Sequence, residues 1–595
     1  MDMADGSMDE TAGLEQPPQD HARNSGQTPF PVTAQPTSGA NDSNYHAIQA
    51  RNIIELELDD CQAIGRERQS ILRSALQLVS SVAENEPGHS GSIPVIPRPT
   101  DPAITIPEAP PRELLYMLLG GPLDAVRTQW PDHIPQKTYE RMVTTLLQAD
   151  QSNEFFHQHS VCIYVKAIFY LYQVTRTTDN PVLKRELSQS KSAYIAAAAQ
   201  SIQQFNILQR PDLLTVQALL SSALLMQHIG RFNQCWLLTS YAARQITSLN
   251  YHNTCHAPAN SGLELEINCA VYWCYYLDRT LSSLLDRPPS LPDPVVSPTD
   301  LIVIESSSAY SGLLHIIIEL AQIQGKLHEI SSCRESLPNS VMLEKCQLLE
   351  ADMQTLLPYL KSNRSSFAKM IQCDWVAVDF CYYAIFVEIH RIHLKSCFTP
   401  HIYRECLVHA RKSLEAFHFL QQHSAEMPGF DDPYPSFLTW TLFLYPLSAF
   451  FVVFCHIVGT SDVNDFQLLR QITGSLSHFK QDPHLGRLLT LLQSLQRLCE
   501  PLFPKQSHNS ATGEDPLADV NHSLAHFSGT SGPATESFTF PQSSPSALFR
   551  DDMPLVNEPI QNTELDPSAE WQMWQLFTNQ VPNGWLNKGV DLFDL

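Results

Sequence analysis

The chain has 595 residues and fourteen cysteines, enough for a redox or metal inventory, so their spacing decides what they can do. They fall at 61, 162, 235, 255, 269, 274, 333, 346, 373, 381, 397, 406, 455 and 499, and no two form a CxxC pair. Zinc ribbons, zinc fingers and thioredoxin-type sites need such pairs, because two sulfurs must converge from one turn of backbone. Spacing excludes them. Most of these cysteines lie in apolar stretches, where a reduced thiol behaves as a small hydrophobe.

His390 and His393 stand three residues apart beside Glu388, with His401 and His409 further on. On a helix that pair shares a face and could chelate a metal, but HExxH or another full ligand set is missing. Core histidines in an apolar helix are the simpler reading. No metal and no cofactor are expected. GxSxG, Walker A and GxGxxG sequences do not occur, so nucleophile-elbow and phosphate-loop chemistries lack their markers. No catalytic residue is assigned, and an enzyme is not expected. Two Asp-Arg doublets remain, Asp278-Arg279 and Asp286-Arg287. Helical neighbours do not face each other, so each group should find its partner elsewhere, in a buried network that fixes helix packing.

One more stretch carries chemistry of a different kind. Near the C-terminus, Trp571, Trp574, Leu576, Phe577, Trp585, Leu592 and Phe593 are interleaved with Glu564, Asp566, Glu570, Asp591 and Asp594. Acids keep such a segment solvated while its aromatic groups stay available for a coactivator groove. Docking of Trp571 and Trp574 onto the protein's own body is the alternative.

The elements that carry these groups follow from composition and periodicity. Length alone corresponds to about four domain equivalents, and 43% hydrophobic with 17% charged residues fits a large core. Charge is uneven: residues 1–110 carry 16 acids against 6 bases, and residues 501–595 carry 12 against 3. A nearly neutral centre between acidic arms argues against bulk binding to nucleic acid or anionic membrane. Residues 1–48 are polar, without a secretory signal at the start, and read as a disordered acidic arm in an intracellular protein. Residues 49–85 read as an amphipathic helix. Its 4-3 seam (Ile54, Leu58, Cys61, Gly65, Arg68, Leu72, Ala75, Val79, Val82) would allow homo- or heterodimerisation through residues 50–84, although Gly65 and Arg68 suit a coiled coil poorly; an amphipathic helix packed on the body is the alternative. Prolines punctuate 86–111 as a linker. Residues 112–504 are helical in pattern throughout, without alternating strand signals, which makes the body all-α. Residues 505–560 read as a second linker, ahead of the acidic-aromatic tail at 561–595. Phe437–Val458 is uncharged and long enough to span a bilayer. With Pro446 inside it and acids on both flanks, it reads instead as two buried helices, so no membrane partner is expected.

Within the body, residues 213–293 are the most distinctive. An apolar helix with Pro211 at its first turn runs from Asp212 to Ile229 and ends in Gly230-Arg231. A second, expected to be capped by Asn233, carries Trp236 and Ala242-Ala243-Arg244 and stops near Asn250. A third runs from Leu263 to Leu285 with Trp273 and Leu277-Asp278-Arg279, and Arg287-Pro288-Pro289 breaks it. This order resembles the middle homology region of fungal binuclear zinc-cluster transcription factors, over roughly residues 110–500.

The resemblance implies an all-α regulatory domain in a nuclear protein that controls transcription of a metabolic pathway, such as a secondary-metabolite gene cluster. It also marks departures. Members of the family open with six zinc-holding cysteines, whereas Cys61 is the single cysteine before Pro110. DNA contact is therefore expected through a partner transcription factor, unless a zinc cluster is encoded upstream of Met1. Asp286 stands where the family has Gly, and Ile267, Asn268 and Cys269 replace basic residues. A helical scaffold or small-effector sensor without transcriptional output is the alternative function.

Overall fold

The computed structural model describes residues 66–84, 105–119, 132–148, 154–178, 180–204, 210–303, 309–333, 337–362, 369–425, 448–479 and 485–503, with Leu438, Thr441 and Tyr445. Among these residues the regular structure is helical, with no strand. The all-α expectation holds. The helices are α1 (Arg66–Glu84), α2 (Arg112–Leu119), α3 (Gln136–Gln148), α4 (Phe156–Thr177), α5 (Pro181–Gln204), α6 (Leu213–His228), α7 (Phe232–Ser248) and α8 (Tyr251–Thr254). They continue as α9 (Gly262–Leu285), α10 (Ala309–Ser332), α11 (Asn339–Ser362), α12 (Lys369–Ser396), α13 (Pro400–Ala425), α14 (Ser448–Thr460), α15 (Val463–Ser475) and α16 (Leu485–Cys499).

Consecutive helices pack on each other: α4 on α5, α6 on α7, α9 on α10, α11 on α12, and most extensively α12 on α13. One hydrophobic core runs through them all. The helices that read as apolar all round lie at its centre, because no single face suffices to bury them. Every residue of α6 from Thr215 to His228 is buried, and so is nearly all of α9 from Glu266 to Leu284. The stretch read as two buried helices contributes α14, whose Phe450, Phe451, Val453, Phe454 and Ile457 are buried. At 1.5 Å per residue this helix spans only about 20 Å, and none of the described helices is long and apolar enough to cross a membrane.

Local chemistry sets the ends of these helices. Asn180 accepts from the backbone of Val182 and Leu183, with Pro181 at the first helical position of α5. Asp212 caps α6, accepting the Thr215 N–H at 2.9 Å. Ser261 accepts the Glu264 N–H at 3.2 Å while Glu264 accepts that of Asn260 at 2.7 Å, a variant of the capping box. α6 closes with the Gly230 N–H on Gln227 (3.0 Å) and the Arg231 N–H on Met226 (2.7 Å), the paired bonds of a Schellman motif, with Gly230 at φ 75°. That conformation costs an L side chain about 1–2 kcal/mol. Gly230→Ala should lower stability by that amount, read as a fall in the urea midpoint at unchanged denaturant slope. The same turn corrects the expected cap of α7. Arg231 already offers its carbonyl to Cys235 at 2.9 Å, so the helix starts at Phe232 with no side-chain cap, and Asn233 sits inside it.

The amphipathic helix of the N-terminal region is seen as α1. Its seam residues Leu72 and Ala75, with Ile71, are buried against α14 and α16 of the same chain. Residues 50–65 lie outside the described residues, as does the tail with Trp571, Trp574, Leu576, Phe577, Trp585, Leu592 and Phe593.

Candidate functional site

Of the residues singled out between 230 and 289, Trp236, Asp278, Arg279 and Arg287 lie where α9 hands over to the segment before α10. Asp286 ends α9 in the left-handed region, φ 52° and ψ 46°, with its N–H on Ser282. Asp tolerates this region better than most residues, so the turn survives the loss of Gly. The chain then doubles back, bringing residues 290–293 alongside Asp278. The carboxylate of Asp278 is fully buried and accepts the Ser290 N–H at 2.8 Å and the Leu291 N–H at 3.1 Å. Arg279 donates to Asp278 at 2.7 Å, to the Leu291 carbonyl at 2.9 Å and to Asp293 at 2.7 Å, with its guanidinium 4.6 Å from the Tyr275 ring centroid. The Ser290 hydroxyl reaches Ser240 of α7 at 3.0 Å, and Arg287 lies 4.6 Å over the Trp236 ring.

This clamp corrects one expectation. Asp278 and Arg279 do face each other, because the long Arg side chain folds back toward acceptors that the returning segment supplies. Gly325 of α10 makes room for it: a Cβ there would stand 2.8 Å from the Arg279 Cδ. Burial pushes the Asp278 carboxyl above its usual range, opposed by the Ser290 and Leu291 N–H groups and by Arg279. For Arg279 burial works against the charge, but Asp293, Tyr275 and Asp278 outweigh it and hold the guanidinium protonated.

Other motif residues are placed apart. Trp273 is buried in the core, edge-to-face with Tyr276 at 5.8 Å. Gly230 and Arg231 form the α6–α7 turn described above. Arg244 is exposed on the outer side of α7, and Pro288 and Pro289 are exposed too. Ile267, Asn268 and Cys269 are buried, with the Asn268 amide donating to the His256 carbonyl at 2.7 Å.

One polar cluster escaped the sequence reading, and a second was read only in part. Asp132 accepts from Lys166 at 2.9 Å and lies 2.6 Å from His133, whose Nε2 is 2.7 Å from the Ser221 hydroxyl. Burial alone would raise the Asp132 pKa, but Lys166 and His133 hold it far below the carboxylate range. The order Ser, His, Asp matches a nucleophile, a base and its orienting acid. Ser221, however, is fully buried in the middle of α6, where no substrate carbonyl can approach its oxygen. The cluster ties α4 to α6. His133 and Ser221 are 88 residues apart, and no short motif connects them.

The second cluster draws in the histidines considered for metal binding. Glu350 of α11 lies 2.7 Å from His393 Nδ1 and 3.5 Å from His390 Nδ1, and His390 Nε2 is 3.2 Å from His409 Nδ1 of α13. Burial would raise the Glu350 carboxyl, but the two imidazoles hold it down at about 2. His401 is not part of this group; it is exposed, 3.6 Å from Glu405. The hydrogen bonds link α11, α12 and α13. Metal-type side chains also meet at His456, Asp462 and Asp465, whose ligand atoms lie within 4.8 Å. There the Arg411 guanidinium binds both Asp465 oxygens, at 2.7 and 2.8 Å, and supplies the positive charge a cation would bring.

Residues 150–343 match the family model described as Fungal specific transcription factor domain. The chain therefore carries such a domain, and the whole clamp, from Trp236 to Gly325, falls inside it. No curated protein matches the chain.

Proposed function

We propose that this protein is a pathway-specific transcriptional regulator that reaches promoters through a DNA-bound partner and activates through its acidic-aromatic C-terminal segment. The observation that carries the reading is the fungal-specific transcription factor domain at 150–343. Regulation rather than catalysis is the role of such domains, and the nucleus is where the protein would act. A DNA-bound partner is proposed because these 595 residues hold no CxxC pair and only six bases before Pro110; a zinc cluster encoded upstream of Met1 would supply the contact instead. A metabolic pathway as target, such as a secondary-metabolite cluster, rests on analogy with the family.

The tail supports activation by composition, and a tethering assay tests it. Fused to a foreign DNA-binding domain, residues 561–595 should raise reporter output, and Trp571→Ala with Trp574→Ala should abolish the gain. A silent tether would refute the activator role. Chromatin occupancy of the tagged full-length protein tests promoter contact. Discrete promoter peaks carrying another factor's DNA motif are expected. An abundant protein without peaks would leave the scaffold or effector-sensing reading in their place.

A further inference from the structure

α7 packs on α6 and α9 and leaves one face uncovered. Leu237, Tyr241 and Arg244 follow each other along it at steps of four and three residues, all exposed, Leu237 to 44%. The segment after α9 borders this stripe. Arg287 lies over the Trp236 ring, Ser290 reaches Ser240, and Pro288 and Pro289 between them are exposed. The two therefore form one surface, which includes Arg244, Pro288 and Pro289, motif residues that the clamp does not use.

Its charge sets it apart from the rest of the chain. The sequence holds 62 acids against 38 bases, yet no Asp or Glu occurs between Asp212 and Glu264, so α6, α7 and α8 carry no carboxylate side chain. The acids nearest Arg287 along the chain are turned elsewhere: Asp286 lies 3.8 Å from His328 of α10, and Asp293 accepts from Arg279. Among the described residues neither Arg244 nor Arg287 forms an ion pair. Stacking on Trp236 holds the Arg287 guanidinium flat, with its N–H fork available to a carboxylate. Arg, Tyr and Trp are the residues that interface centres favour, whereas Lys and acids dominate an ordinary solvated face.

Spacing sets the form of the partner. From the level of Trp236 to that of Arg244 the helix rises about 12 Å. An extended segment covers that distance in about four residues, and its residues two apart point to the same side.

We propose that this face docks an extended segment of another protein, with carboxylates four residues apart on Arg287 and Arg244 and a large apolar side chain midway against Leu237 and Tyr241. The occupant is acidic because both guanidiniums lack a counter-charge. It is apolar at its centre because Leu237 and Tyr241 are otherwise left in water.

A random-peptide library displayed on phage and selected on the immobilised full-length chain tests this. Enriched peptides should carry two acids four positions apart with an aromatic or aliphatic residue midway. By fluorescence anisotropy they should bind the Arg244→Glu chain at least about tenfold more weakly than the wild type. Raising the salt concentration should weaken wild-type binding too. Arg244 is exposed, so its replacement leaves the fold intact, and an unchanged urea midpoint verifies that. Arg287→Gln removes the second charge and should weaken the same peptides. No enrichment on the wild type, enrichment of peptides without acids, or equal binding by wild type and Arg244→Glu would overturn the proposal. So would peptides that bind only after Asp515→Lys with Asp519→Lys, because the chain's own Asp515, Leu517 and Asp519 carry the required spacing and would then be the occupant. These readouts concern peptide docking and do not depend on the transcriptional role.

Discussion

Asp278→Ala is expected to destabilise the body by about 3–5 kcal/mol. The substitution removes the acceptor for two backbone N–H groups and for the Arg279 guanidinium together. Breaking one side of a buried ion pair is more damaging than losing the pair's net contribution, because the remaining charge stays desolvated without compensation. Arg279 keeps Asp293 and the Leu291 carbonyl, but Asp293 is mostly exposed and its pull is screened. Asp278→Asn retains an acceptor and the side-chain volume, so it should fall between the wild type and Ala. Equilibrium urea denaturation of the three proteins checks the order. If Ala and Asn are indistinguishable, the charge opposite Arg279 dominates and the backbone bonds contribute little. If neither changes the midpoint, the clamp does not hold the returning segment.

Acid sensitivity is the second large effect. His409 lies against the rings of Phe386 at 4.3 Å and Tyr383 at 5.7 Å, and burial, helped by His390 and Lys412, lowers its pKa to about 3. His228, next to Phe169 and with Lys191 nearby, is likewise lowered to about 3 by burial first. Both start from an ordinary value of 6.5. Below that value the unfolded chain takes up a proton that the folded chain refuses. The stabilisation is complete above pH 6.5 and is lost progressively as the pH falls toward 3. Between pH 7 and pH 5 each histidine should therefore remove about 2 kcal/mol. Glu350 does not enter this window, because its contribution is present above pH 4.5 and is lost only as the pH falls toward 2. His409→Phe keeps an aromatic ring in the stack and removes the titration. Its stability should fall less steeply from pH 7 to 5 than that of the wild type, even if the lost bond to His390 lowers the value at pH 7. An unchanged slope in both His409→Phe and His228→Phe would assign the acid loss to other groups.

The histidine cluster also shows what a sequence reading reaches. His390 and His393 stood out because their spacing is local, and the helix face they share was foreseeable. That they share Glu350, from a helix forty residues earlier in the chain, was not. Both Asp-Arg doublets were read as a buried network; Asp278 and Arg279 are buried, but Asp286 is exposed at the end of its helix and Arg287 is half-buried. The direct pairing of Asp278 with Arg279 was missed, because adjacency on a helix is a poor guide once a returning segment bends a long side chain backward.

What the sequence by itself determined lies within about one turn of each residue. Periodicity identified the all-α body, and Arg112, Gly230 and Arg287-Pro288-Pro289 marked real helix ends, whereas Asp212, read as the first residue of its helix, is the cap before it. Caps and φ preferences depend on neighbours a few positions away, so they are legible without a fold. Only the tertiary structure decided that Arg287 stacks on Trp236, that Gly325 makes room for Arg279, that His133 meets Ser221, and that α1 sits on α14 and α16. These contacts join residues tens to hundreds of positions apart. They depend on how whole helix faces are covered, and many helix orders would bury the same apolar stripes. Packing chooses among those orders, and with them the partners of every buried charge.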